Sequence, residues 1–179
     1  VFIDFPVRPD LYKPVVAGFL SRVTEAYGLT EWKSVVLTNE IHGHTGIYSI
    51  IGVKMGVRAL EYFNVGVNNL QVVTFVGSEP PLSCLNDGIQ ISTGATIGQG
   101  LIRVDEKVLP TPTVRFSFNG RSITSQLKKD IADRIEADIR KGVQLYGMSD
   151  RYWAYVEDLA YRYWQELDRH LIFTIEPNR

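Results

Sequence analysis

Two of the three histidines in the chain stand one residue apart, in the segment Ile41-His42-Gly43-His44. Neutral imidazole is the commonest metal ligand, and a His-x-His pair on extended backbone is a recurrent half of a metal site. Side chains at positions i and i+2 share a face in extended backbone but point about 200° apart in a helix. We therefore expect strand or loop from His42 to His44. The spacing alone equally fits a histidine pair that donates hydrogen bonds to loop carbonyls.

The only cysteine supplies a candidate third ligand. Cys84 lies in the segment Pro81-Leu82-Ser83-Cys84-Leu85-Asn86-Asp87. A lone cysteine is most often an inert, small hydrophobic residue in a core. This one stands at a predicted strand-to-helix junction, where a helix N-terminus lowers the pKa of a thiol and favours the metal-binding thiolate. Asp87, three residues further on, is either a fourth ligand or an acceptor that orients one imidazole.

The sequence thus predicts a single-metal site made by His42, His44 and Cys84, with Asp87 in one of those two roles. Zinc suits this mixture of imidazole and thiolate best, and nickel or iron are the alternatives. Three protein ligands leave an open coordination position, as hydrolytic zinc sites require. Metal-dependent hydrolysis or small-molecule binding would follow. Glu40 and Tyr48 are nearby candidates for proton transfer or for orienting a ligand. The alternative for Glu40 is a solvated loop charge, and for Tyr48 a packing residue of the helix.

Composition excludes several classes of protein. The chain has 179 residues, 45% of them apolar. Its formal net charge is −1 and its basic residues alternate with acidic ones, a pattern that does not favour nucleic-acid binding. One cysteine excludes an internal disulfide. No apolar run approaches the ~20 residues of a membrane span, so we expect a soluble, cytoplasmic protein. The first residue is Val1, which leaves open a leader or tag upstream.

Hydrophobic periodicity predicts the elements that position these residues. An N-terminal helix ends at Gly28, a short strand covers residues 35–37, and a central helix runs from Thr45, its predicted N-cap, to Phe63. Strands are predicted over residues 70–76, 101–107 and 113–118. A helix follows Cys84, and the Asn119-Gly120 turn leads into a further short strand near 121–123. The order is helix-strand-helix-three-strand, which predicts an α+β fold with a mixed, mostly antiparallel sheet.

The last part of the chain is predicted to be helical. One helix begins near Leu127 and ends at Gly147, and the next carries a broad aromatic stripe as far as Leu171. The stripe indicates a packing surface, with a protein partner as the alternative. We expect residues 1–124 to form a metal-binding α+β domain with its N-terminal helix, and residues 125–179 to form a helical extension packed on it.

Small residues on the central helix, including Gly52 and Gly56, form a second face and indicate close approach by another backbone. The neighbour is expected to be the underlying sheet or the same helix of a second copy of the chain in a homodimer.

Two segments together resemble the FmdE-like family, which is named for formylmethanofuran dehydrogenase. His42-Gly43-His44 runs without a gap into Gly52-Val53-Lys54-Met55-Gly56, as in the family's His-Gly-His leader and glycine-spaced helix. The segment from Cys84 to Gln90, followed by Thr93-Gly94 and residues 96–100, is similar to the family's second signature. The resemblance implies a mixed α+β domain, often paired as a dimer, with a metal held by histidine and cysteine.

The resemblance implies little about catalysis, because members named for the dehydrogenase are accessory to it. This chain also departs from the pattern: Gly46-Ile47-Tyr48 replaces a Cys-Pro-Gly, Ala95 replaces a cysteine, and a cysteine-rich zinc ribbon is absent. Ligand number and metal identity stay open. The alternative function is therefore a non-catalytic accessory or interaction protein, with a structural metal or none.

Overall fold

The computed structural model describes residues 3–178, which form an α+β fold. This class, the mostly antiparallel sheet and the additional C-terminal helices are confirmed. The helices are α1 (Pro14–Ala17), α2 (Leu20–His42), α3 (Ile47–Phe63), α4 (Leu85–Thr93), α5 (Lys129–Tyr146) and α6 (Asp150–Glu166). The strands are β1 (Gln71–Thr74), β2 (Ile102–Val104), β3 (Thr113–Phe118), β4 (Arg121–Leu127) and β5 (Phe173–Asn178). None of the helices within residues 3–178 has the length and apolarity needed to cross a membrane.

The strands form one sheet in the order β2-β1-β3-β4-β5. The β1–β2 pair is parallel, and the other three pairs are antiparallel. The predicted two-residue hairpin joins β3 to β4, with positive φ at both Asn119 and Gly120. Phe116 pairs with Ile123 across that hairpin, and both are buried on the face that meets the helices. The alternation of apolar residues therefore sets the register.

The prediction of a helix to Leu171 is wrong, and β5 was missed. Helix α6 ends at Glu166, and Phe173–Asn178 pairs with β4, so the C-terminal region adds a strand to the same sheet. Leu171 continues the helical spacing but is 66% exposed, because it lies in the turn between α6 and β5. Residues 1, 2 and 179 of the two predicted ranges lie outside the described residues.

The predicted strand at residues 35–37 is also wrong, because these residues lie inside α2. A three-residue apolar run does not distinguish a strand from a buried turn of helix. Val35 is fully buried together with Trp32, three residues earlier, as helical spacing requires. The predicted helix end at Gly28 coincides with a break, where φ of 83° and ψ of 163° interrupt the helix before it resumes.

The small-residue face of α3 packs against α4 of the same chain, which is neither of the two expected neighbours. A Cβ at Gly52 would overlap the carbonyl oxygen of Leu85, and one at Gly88 would overlap that of Ser49. The two helix backbones are therefore in direct contact. This contact fixes α4, which carries Asp87, relative to α3.

The aromatic stripe of α6 is mainly a packing surface. Trp164 is buried and stacks on Trp32 of α2 with ring centroids 4.8 Å apart. The Phe19 ring packs against Trp164 in a T-shaped arrangement, with ring centroids 5.4 Å apart. The C-terminal helix thereby holds the long helix α2, whose last residue is His42.

Candidate functional site

The two histidines meet at the C-terminal end of α2. His42 is the last residue of the helix, and Gly43 follows in the left-handed conformation with φ of 81°. This reversal places the His44 ring 4.4 Å from the His42 ring, centroid to centroid. Strand or loop was expected from His42 to His44; Gly43 and His44 lie in a loop, but for His42 the expectation is wrong, because this residue ends the helix. The left-handed glycine achieves the same convergence, because L residues other than glycine rarely adopt this φ.

Asp87 holds the imidazole of His42. Nδ1 of His42 lies 2.8 Å from Oδ2 of Asp87, which is in the first turn of α4. An ionised carboxylate only accepts hydrogen bonds, so Nδ1 donates, and in a neutral imidazole Nε2 then carries the lone pair. Nε2 is buried and has no hydrogen-bond partner in the described part of the chain. A buried imidazole oriented by a carboxylate, with its other nitrogen unused, is the arrangement of a metal-ligating histidine.

Gly46 lies close beside that nitrogen. It is the N-cap of α3, in place of the predicted Thr45, and a Cβ added to it would lie 3.2 Å from Nε2 of His42 and 2.9 Å from Oγ of Ser49. The Ser49 hydroxyl donates to the Gly46 carbonyl at 2.8 Å instead of to the imidazole. A side chain at position 46 would therefore crowd both groups, and glycine fits here without displacing them.

Cys84 lies immediately before α4 and is half-buried. With His42 and Asp87 it lines a cavity of about 340 Å³, whose apolar wall includes Ile102 and Val104. Burial, together with the nearby Asp87 carboxylate, raises the pKa of the Cys84 thiol. The expectation that the helix N-terminus lowers this pKa is therefore wrong. Coordination by Cys84 would require loss of its proton on metal binding.

The structure brings the four predicted ligands together in pairs, but not around one point. The structure brings together His42 with Asp87, His42 with His44, and Cys84 with His42 at one cavity. Within residues 3–178, no three histidine, cysteine, aspartate or glutamate side chains are arranged so that they could hold a metal ion. A change of side-chain position is needed to complete a three-ligand set.

His44 also borders a second cavity, of about 360 Å³, that the sequence did not reveal. Glu40, Glu157 and Tyr161 line it as well. Burial, and next the proximity of His42, lower the pKa of His44, so its imidazole is neutral at pH 7. Tyr161 donates to Oε1 of Glu157 at 2.8 Å. The i, i+4 spacing of these two residues on α6 was the one local signal of this pair.

Tyr48 and His170 lie away from the site. Burial, with smaller contributions from Glu136 and Tyr163, raises the pKa of Tyr48 to about 12, so its hydroxyl stays protonated at neutral pH and the residue serves packing. His170 contacts Asp168 at 2.8 Å and Glu61 at 3.2 Å in the turn after α6.

The sequence model of the FmdE family, described as "FmdE, Molybdenum formylmethanofuran dehydrogenase operon", matches residues 41–157. The match covers more than half of the chain and contains all four predicted ligands. No match was found among curated proteins.

Proposed function

The chain belongs to the FmdE family, and from that premise we propose that it binds a divalent transition metal ion, best matched by zinc, at His42. The observation that carries the proposal is the buried Nε2 of His42, which has no partner within residues 3–178 while Asp87 holds Nδ1. Leaving such a nitrogen unpaired costs about 1–3 kcal/mol, and a metal ion would recover that cost.

In this proposal His42 and His44 supply imidazole nitrogens and Cys84 supplies a thiolate. Of the two roles considered for Asp87, the structure supports the orienting one, because Oδ2 already accepts from His42. Nickel or iron would fit the same donors, since ligand type discriminates poorly among first-row metals.

The surrounding residues would prepare the cavity for a small ligand. A bound zinc ion supplies Lewis acidity for hydrolysis or for ligand capture. Asp87 would keep the imidazole of His42 in one tautomer, and Ile102 and Val104 give the cavity an apolar wall. Asn86 donates to the Gly77 carbonyl at 3.0 Å, whereas its buried Oδ1 has no donor within residues 3–178 and would accept from an N–H or O–H of the ligand.

A second candidate is a non-catalytic interaction protein, with a structural metal or none. The observation that favours it is apolar surface at the connection between α5 and α6, where Leu145 is 58% and Met148 67% exposed. Trp153, also exposed, lies with its ring centroid 6.2 Å from that of His44. A second copy of the chain or another protein would cover this surface. Light scattering of the purified protein distinguishes a homodimer from a monomer.

Titration with cobalt(II), after removal of metal by a chelator, tests the proposed ligands. We expect a thiolate-to-cobalt charge-transfer band that is lost in Cys84→Ser. Asp87→Asn should keep the band but weaken metal affinity about 10–100-fold, because the imidazole loses its orienting acceptor. Asp130→Asn, an exposed change on α5, is the matched control and should bind as the unaltered chain does. Equal affinities for Asp87→Asn and the control would refute the role given to Asp87.

A further inference from the structure

Apart from His44, the cavity beside this histidine is walled by groups that the proposed metal site does not use. Its volume of about 360 Å³ falls within the range of about 300–1,000 Å³ typical of small-molecule sites. Its walls come from residues 11–16, the end of α2 and α6. Val16, Val36 and Trp164 give it apolar surface. Several of these residues lie outside the segment 41–157 that the family shares.

The charged side chains that line this cavity have a negative net charge. They are those of Lys13, Glu40 and Glu157. Burial opposes ionisation of Glu157, but hydrogen bonds from Lys13 and Tyr161 outweigh it and hold the pKa of this carboxyl below its ordinary value. The cavity therefore presents a stable carboxylate and favours a cationic ligand over an anionic one.

An ammonium group already rests on that carboxylate. Nζ of Lys13 donates to Oε1 of Glu157 at 2.9 Å, and the Tyr161 hydroxyl donates to the same oxygen at 2.8 Å. The Lys13 side chain is 68% exposed, so its ammonium reaches Glu157 from the rim of the cavity. The indole N–H of Trp164 is buried without an acceptor in the described residues, which leaves a polar group of the wall unsatisfied.

We propose that this cavity binds a small organic amine, whose ammonium replaces that of Lys13 on Glu157 and whose apolar body packs against Val36 and Trp164. Lys13 is then an internal competitor that occupies the carboxylate when no ligand is present. The inference goes beyond the proposed metal site and does not depend on it.

Three probes with the same indole body separate the contribution of charge. Tryptamine carries an ammonium, tryptophol a hydroxyl and indoleacetate a carboxylate. Calorimetric titration of the protein as purified is expected to give tryptamine an affinity about tenfold above that of the other two, the value of one charge-assisted hydrogen bond. Binding by none of the probes, or preference for indoleacetate, would overturn the proposal.

Two variants with opposite expected effects make the test specific. Glu157→Gln should weaken tryptamine binding about tenfold and leave tryptophol unchanged, because only the ammonium uses the charge. Lys13→Met should strengthen tryptamine binding several-fold, since the internal competitor is gone. Lys33→Met removes the same charge outside the cavity lining and should change nothing. Weaker tryptamine binding in Lys13→Met would contradict the proposal even if Glu157→Gln fails to fold.

The proposed function and this inference fail independently. Cys84→Ser, which removes a proposed metal ligand, should bind tryptamine as the unaltered chain does. Loss of tryptamine binding in that variant would show that the probe sits at the metal site and would refute a separate amine pocket.

Discussion

Replacement of Gly88 by alanine is expected to destabilise the fold by about 3 kcal/mol, the upper end of the range for overpacking. The new Cβ would overlap the Ser49 carbonyl and lie 2.6 Å from the Val53 nitrogen. Both atoms belong to the backbone of α3, so no side-chain rotation relieves the clash and the two helices must separate. Because α4 carries Asp87, metal affinity should fall together with stability.

Urea denaturation followed by circular dichroism measures this effect. Gly18→Ala is the matched control, because its Cβ would approach nothing closer than 3.5 Å and its φ of −65° suits alanine. That change should be neutral or stabilising by up to about 1 kcal/mol. A Gly88→Ala protein as stable as the Gly18→Ala protein would show that α3 and α4 are not in the contact described.

A buried ionic network joins α2, α3 and the turn after α6. Lys54 and Glu31 are both inaccessible to solvent, with Nζ of Lys54 2.6 Å from Oε1 of Glu31. Arg169 contacts the other oxygen of Glu31 at 3.1 Å and the carbonyl of Tyr27 at 2.9 Å. Tyr27 precedes the break at Gly28, so the guanidinium pairs with a carbonyl beside the helix interruption. Burial lowers the pKa of Lys54, and the Glu31 carboxylate opposes that change.

Lys54→Met is expected to destabilise the protein by about 3–5 kcal/mol, because Glu31 then stays buried with Arg169 as its remaining cation. The double variant Lys54→Met with Glu31→Leu should lose less unfolding free energy than the two single variants lose together, since both residues belong to one network. Lys129→Met, which breaks the exposed pair with Asp133, should cost no more than about 0.5 kcal/mol. Additive effects of Lys54→Met and Glu31→Leu in chemical denaturation would contradict the coupling.

Local patterns predicted the elements that depend on local chemistry. Helix α3 follows from its apolar spacing, and the β3–β4 hairpin follows from Asn119-Gly120, whose positive φ values only a few residue types accept. The conformation of α2 and of β5 depends instead on tertiary contacts with neighbouring elements. The apolar run at residues 35–37 continues α2, where Val35 is buried in the core with Trp32. Phe173–Asn178 is a strand because it pairs with the edge of β4.

The candidate site was predictable in its residue types but not in its geometry. Asp87 was named as either a fourth ligand or an acceptor that orients an imidazole, and its Oδ2 accepts from His42. The raised pKa of the Cys84 thiol was missed, because burial and the charge of Asp87 outweigh a helix terminus and neither can be seen in a linear sequence. The second cavity was missed because Lys13 and Glu157 are 144 positions apart and no spacing rule connects them.

Elemental analysis of the protein purified without added metal tests the central claim, that Nε2 of His42 is a metal ligand. We expect one transition metal ion per chain in the unaltered protein, and strongly reduced metal in His42→Ala and in Cys84→Ser. His170→Ala removes the histidine that lies away from the site and should retain the full amount. Equal metal content in all four proteins, or metal in none of them, would contradict the account.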